Sequence, residues 1–225
     1  MDIGRHVGIF NPDGFNNYII SIIGLGAIGS GIAEALTRMG LNNFEFIDPD
    51  SVEEHNVPNQ LYFSKDIGKF KVDACAEKLK LINPKIRIRL RKELFSDLMG
   101  TIVFLATDNM AARKQVFEYC KKNPFVKLII DGRMASLNFT VHTVDMEKKK
   151  DILDYTKRLF TDDKMLQIPC TERSIIFNVF GVSSFLANQL IKFLNQEDYF
   201  NFITFDYKTM TFARIWIRMD KRLNI

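Results

Sequence analysis

Three glycines and one aspartate carry the first chemistry legible in this chain. Gly24, Gly26 and Gly29 follow the apolar run Ile19 to Ile23 in the spacing Gly-x-Gly-x-x-Gly. Glycines so placed permit a tight turn, a close approach of backbone to phosphate, and close packing of the next helix on its strand. The N-terminus of that helix offers unpaired N–H groups and a partial positive charge to an anion. Asp48 stands 24 residues beyond Gly24, after a second apolar run, Phe44 to Ile47. A carboxylate there can accept hydrogen bonds from ribose hydroxyls. These four residues describe nucleotide binding. They do not separate an NAD-dependent oxidoreductase from an enzyme that uses ATP.

More polar residues follow in order: Asp50, Asn56, Asn59, Gln60 and Lys71, then Thr107-Asp108-Asn109 and Arg113. As an ordered set from Ile19 to Asp131, and more loosely to about Phe212, they resemble the ThiF/MoeB/HesA-type family. That family is the nucleotide-binding core shared with ubiquitin-activating enzymes. The resemblance implies ATP- and Mg²⁺-dependent adenylation of the C-terminal glycine of a small ubiquitin-like or sulfur-carrier protein, by a homodimer. It implies that Gly24, Gly26 and Gly29 hold phosphates, Asp48 the ribose, Lys71 the phosphate charge and Asp108 the Mg²⁺, with Asn56 and Gln60 in the loop between.

One position departs from the pattern. The family reads Asn-x-x-Arg-Gln where this chain reads Asn56-Val57-Pro58-Asn59-Gln60. Asn59 donates hydrogen bonds but brings no charge, and losing a preorganised charge at such a site costs about 3 kcal/mol. Arg5 is a candidate replacement, because an N-terminal arginine in this family reaches the partner subunit's nucleotide site. Ile168-Pro169-Cys170-Thr171 resembles the element around the thioester cysteine of ubiquitin-activating enzymes, which makes Cys170 a candidate acyl acceptor. Two other readings stay open: an NAD-dependent oxidoreductase, and a non-catalytic scaffold of the same fold.

Periodicity supplies the elements that would position these residues. Strands are expected over Ile19 to Ile23, Phe44 to Ile47, Ile86 to Leu90, Ile102 to Ala106 and Leu128 to Ile130, the last stopped by Asp131-Gly132. Helices are expected over Ile28 to Met39, Asp66 to Ile82 and Asn109 to Cys120. Alternating strand and helix implies a Rossmann-like α/β fold, a mostly parallel sheet with helices on both faces. After Gly132 the pattern changes. Leu137 to Val144, Phe200 to Asp206 and Thr211 to Ile217 read as strands that extend the sheet antiparallel, with a helix from Ser174 to Leu194. The expected organisation is one domain: an arm at 1–18, a core at 19–131 and an extension at 132–225, with a polar crossover loop at about 147–168.

Composition agrees with a folded globule. Apolar residues make up 47% of 225 and the net charge is +4, too weak to argue for nucleic acid. Cys75, Cys120 and Cys170 form no close pair, which argues against disulfides and against the structural zinc many family members carry. No apolar run reads as a membrane span or signal peptide, so a cytoplasmic setting is expected.

Overall fold

The computed structural model describes residues 2–159 and 175–215. Eight strands form one sheet: β1 Ile20–Ile23, β2 Asn43–Ile47, β3 Arg87–Arg91, β4 Ile102–Leu105, β5 Leu128–Ala135, β6 Asn138–Asp145, β7 Phe202–Asp206 and β8 Thr211–Ile215. Their order is β3-β2-β1-β4-β5-β6-β7-β8. The first five in that order run parallel, and β6, β7 and β8 continue antiparallel. Strand order reverses between β1 and β4, and open α/β sheets bind ligands at the strand ends beside that switch.

Alternation within the strands divides the core between two faces. Ile20, Ile22, Phe44, Phe46, Phe104 and Ile130 pack with the helices α1 (Ala27–Arg38), α2 (Lys71–Ile82) and α5 (Ile176–Leu194). Val103, Leu105 and Ile129 pack on the opposite face with α3 (Met110–Lys122) and with Tyr155 of α4 (Lys149–Lys157). The α/β architecture expected from sequence is therefore present, with helices on both faces and an antiparallel extension.

Three elements differ from the sequence expectation. The helix expected from Asp66 begins at Lys71. Gly68 takes φ +87°, and residues 68–71 pair instead with 50–52: Gly68 and Lys69 bond Val52, and the Lys71 N–H bonds the Asp50 carbonyl at 2.8 Å. The strand expected to stop at Asp131-Gly132 runs on to Ala135, because β6 pairs with it over its whole length. The polar stretch expected to be a crossover loop contains α4, whose Asp151 and Tyr155 are buried behind a lysine-rich surface.

Residues 2–18 pack on the C-terminal end of α1. Pro12 lies against Gly40, and His6 meets the Met39 carbonyl at 3.4 Å. Helix α5 has 19 residues and is apolar enough to cross a membrane by length and composition, contrary to the expectation that no run reaches that class. In this fold it is packed across α1 and against β5 and β6.

Candidate nucleotide site

The glycine turn joins β1 to α1 at the sheet's C-terminal edge. Gly24 has φ +87°, and a Cβ there would sit 2.7 Å from the Ala106 carbonyl oxygen. The turn thus lies directly on the chain leaving β4. A Cβ on Gly29 would run into the Gly24 carbonyl, so α1 starts only if that position is bare. Gly26 is the N-cap of α1, which has no side-chain cap and no acid in its first turn. Its first N–H groups are left for an external acceptor.

Asp48 is 4% exposed and braces the turn. One carboxylate oxygen accepts the Leu25 N–H at 2.5 Å and the other the Asp50 N–H at 2.8 Å. Burial pushes its pKa up, and these two donors and the charge of Lys71 oppose that shift. Lys71 is itself buried, with its Nζ 2.8 Å from the Asp50 carboxylate. Asp50 is therefore the partner that holds the lysine. The short pairing between 50–52 and 68–71 sets the two residues opposite each other.

The loop between them folds back over α1. Asn56 is buried, its side chain accepts the Glu53 N–H at 2.9 Å, and its carbonyl accepts from Asn59 and Gln60. Gln60 Nε2 lies 3.9 Å from where a Gly26 Cβ would be, and its buried Oε1 has no hydrogen-bond partner among the described residues. Ser30 accepts the Leu61 N–H at 3.0 Å, and Lys78 donates to the Leu61 carbonyl at 2.6 Å. Tyr62 completes the site from beneath. Its hydroxyl donates to the Leu25 carbonyl at 2.7 Å and lies 3.4 Å from the Lys71 carbonyl. Sequence reading missed Tyr62, although an aromatic two residues after Gln60 was the available signal.

Asp108 is exposed in the turn after β4, with Asn109 Nδ2 3.3 Å from one carboxylate oxygen. Asn109, not Asp108, is the N-cap of α3, and accepts the Ala112 N–H at 2.7 Å. Arg113 is held in a buried pair with Asp131 at 2.9 Å. Arg5 is exposed on the arm at the far end of α1. Twelve residues of helix separate that end from Gly26, which is about 18 Å at 1.5 Å per residue. Cys170 lies outside the described residues.

A model of the ThiF family matches residues 7–223, nearly the whole chain. The chain belongs to the ThiF family. Among ThiF-like relatives, tRNA threonylcarbamoyladenosine dehydratase of Haemophilus influenzae is 30% identical over 72% of this chain and 72% of its own length. Ubiquitin-like modifier-activating enzyme 5 of Drosophila virilis is 32% identical over 46% of this chain, and the match covers 31% of that enzyme. Crystal structures of E. coli MccB share the fold. The complex with ATP superposes with TM-score 0.72 at 16% identity, covering 93% of this chain and 67% of MccB.

Proposed function

We propose that this chain is an ATP-dependent adenylating enzyme whose acceptor is the C-terminal carboxylate of a small peptide, ubiquitin-like protein or sulfur carrier. One observation carries the reading: a buried ammonium, Lys71, fixed by Asp50 beside Asp48 and the glycine turn. Hydride transfer builds no new charge at the phosphates, whereas expulsion of pyrophosphate does, and a fixed cation would meet it. Support also comes from relatives. Family kin include a ubiquitin-like modifier-activating enzyme, and MccB has been crystallised with ATP and with MccA.

In this reading an acceptor carboxylate oxygen attacks the α-phosphorus of ATP. The bond from that phosphorus to the bridging oxygen breaks, and pyrophosphate leaves with the electron pair. The N–H groups of the glycine turn and α1 hold the phosphates, Asp48 offers its remaining lone pairs to the ribose, and Gln60 closes over the turn. Lys71 meets the growing charge on the leaving group. Asp108 fits a Mg²⁺ ligand, because its carboxylate is open at the mouth, and Mg²⁺ is held by one or two carboxylates together with phosphates and water. Mg²⁺ bound there would neutralise phosphate charge. The arm, core and extension act as one adenylation domain, in a cytoplasmic homodimer.

The H. influenzae relative favours a second acceptor, a carboxylate on a threonylcarbamoyl-modified nucleoside of tRNA. Exchange of labelled pyrophosphate into ATP decides between them. A peptide with a free C-terminal glycine should support exchange, and the same peptide amidated should not. Exchange driven by modified tRNA alone would favour the second acceptor. Exchange with neither, together with tight NAD binding, would overturn adenylation.

A further inference from the structure

We propose that Asp131 is a positioning residue for this site, acting through Arg113 on the turn that carries Asp108. The inference rests on the adenylation reading above. Asp131 is fully buried on β5, paired with Leu105, the last residue of β4. Its Oδ1 accepts from Arg113 Nε at 2.9 Å, and its Oδ2 from Arg133 Nε at 2.7 Å and the Tyr155 hydroxyl at 2.9 Å. Burial alone would raise its pKa, but the guanidinium groups of Arg113 and Arg133 outweigh burial and hold the carboxyl well below the usual range.

Arg113 also donates to the Gly132 carbonyl at 3.1 Å. A guanidinium that grips two acceptors in one plane has little freedom left. Arg113 sits four residues after the N-cap Asn109, so its grip fixes the first turn of α3 on β5. Residues 106–109 must then span the gap between the end of β4 and that fixed turn. Asp108 is exposed, so backbone rather than burial of its own side chain sets its place. Tyr155 reaches the same carboxylate from α4, an element that contributes nothing to the turn.

That difference supplies the test. Arg113→Gln and Tyr155→Phe each remove one bond to a buried carboxylate, so both should lower the melting temperature. Arg113→Gln should also lower kcat for pyrophosphate exchange by roughly tenfold or more, as small misplacements do, while KM for ATP changes little. Arg113→Lys keeps the ion pair but loses the fork, and should recover part of the loss. Tyr155→Phe should keep the wild-type kcat. Equal kcat losses in Arg113→Gln and Tyr155→Phe, or none in Arg113→Gln, would overturn the proposal. If Arg113→Gln does not fold, Arg113→Lys against Tyr155→Phe makes the same comparison. Amide hydrogen exchange over 108–112 reads the turn without catalysis: protection should fall in the Arg113 variants and persist in Tyr155→Phe. A wild-type protein without exchange activity sinks the adenylation reading, and the amide data then still decide whether Arg113 fixes the turn.

Discussion

Asn59 stands where the resemblance to the ThiF-type pattern calls for an arginine. Asn59 lies in the loop that Asn56 organises, one residue before Gln60 crosses to Gly26. If the missing charge limits the rate, Asn59→Arg should raise kcat for pyrophosphate exchange on the order of tenfold, a part of what one preorganised donor supplies. An unchanged rate at saturating ATP would mean that another cation already fills the role. Cys170 sets the second expectation. The thiols of Cys75 and Cys120 are pushed up to about 12 by burial and are poor nucleophiles at neutral pH. A thiol-labile adduct with the acceptor should therefore vanish in Cys170→Ala while pyrophosphate exchange continues. An adduct that survives the substitution would remove Cys170 from the reaction. At this scale local spacing pointed to the glycines and Asp48 as one turn, which the fold brings together, and the family resemblance, not spacing, pointed to Lys71. The Asp50–Lys71 pair and Tyr62 were not legible, since each depends on how residues 48–71 fold back on α1.

Elements are where local signals and tertiary pairing compete. Asp131-Gly132 is a turn signal, and it lost to an eight-residue pairing with β6 that the sequence does not advertise. A buried aspartate inside that strand makes sense only with Arg113 and Arg133, and Arg113 comes from another element. In α4 the run Lys148-Lys149-Lys150 hid a helix whose inward face holds Asp151, Ile152 and Tyr155. The late start of α2 follows from the pairing of 68–71 with 50–52, the same pairing that aims Lys71. Tyr62 joins the glycine turn to the first residue of α2, and that link can be cut cleanly. Tyr62→Phe should cost about 1 kcal/mol of stability and weaken ATP binding as well. A lower urea midpoint with unchanged calorimetric affinity for ATP would confine Tyr62 to holding the fold.

For the whole molecule, the proposed homodimer would need Arg5 to act across the subunit boundary, because about 18 Å of α1 lies between the arm and the chain's own glycine turn. Subunits carrying Arg5→Ala and Lys71→Ala, each impaired alone, should regain about a quarter of wild-type exchange after random mixing, since half of the dimers then hold one intact site. No recovery would place Arg5 outside the reaction. Acid stability tests the buried network. Burial, with Arg133 adding to it, lowers the His142 pKa from 6.5 to about 3, so the folded state keeps the ring neutral while the unfolded chain takes up a proton. Stability should therefore fall as pH drops below 6.5, by up to about 1.4 kcal/mol per unit. Protonation of Asp131 adds a further loss below about pH 4. His142→Phe should flatten the upper part of that slope in urea titrations; an unchanged slope would assign it to other groups. The sheet's two borders complete the picture. Among the described residues, β3 presents Arg87 and Arg89 to solvent at one border, and β8 presents Phe212, Arg214 and Ile215 at the other. Fibre growth by sheet addition needs two borders that each accept a neighbour. Two β3 borders repel each other, so the arginines on β3 guard that border against pairing with a second copy of itself.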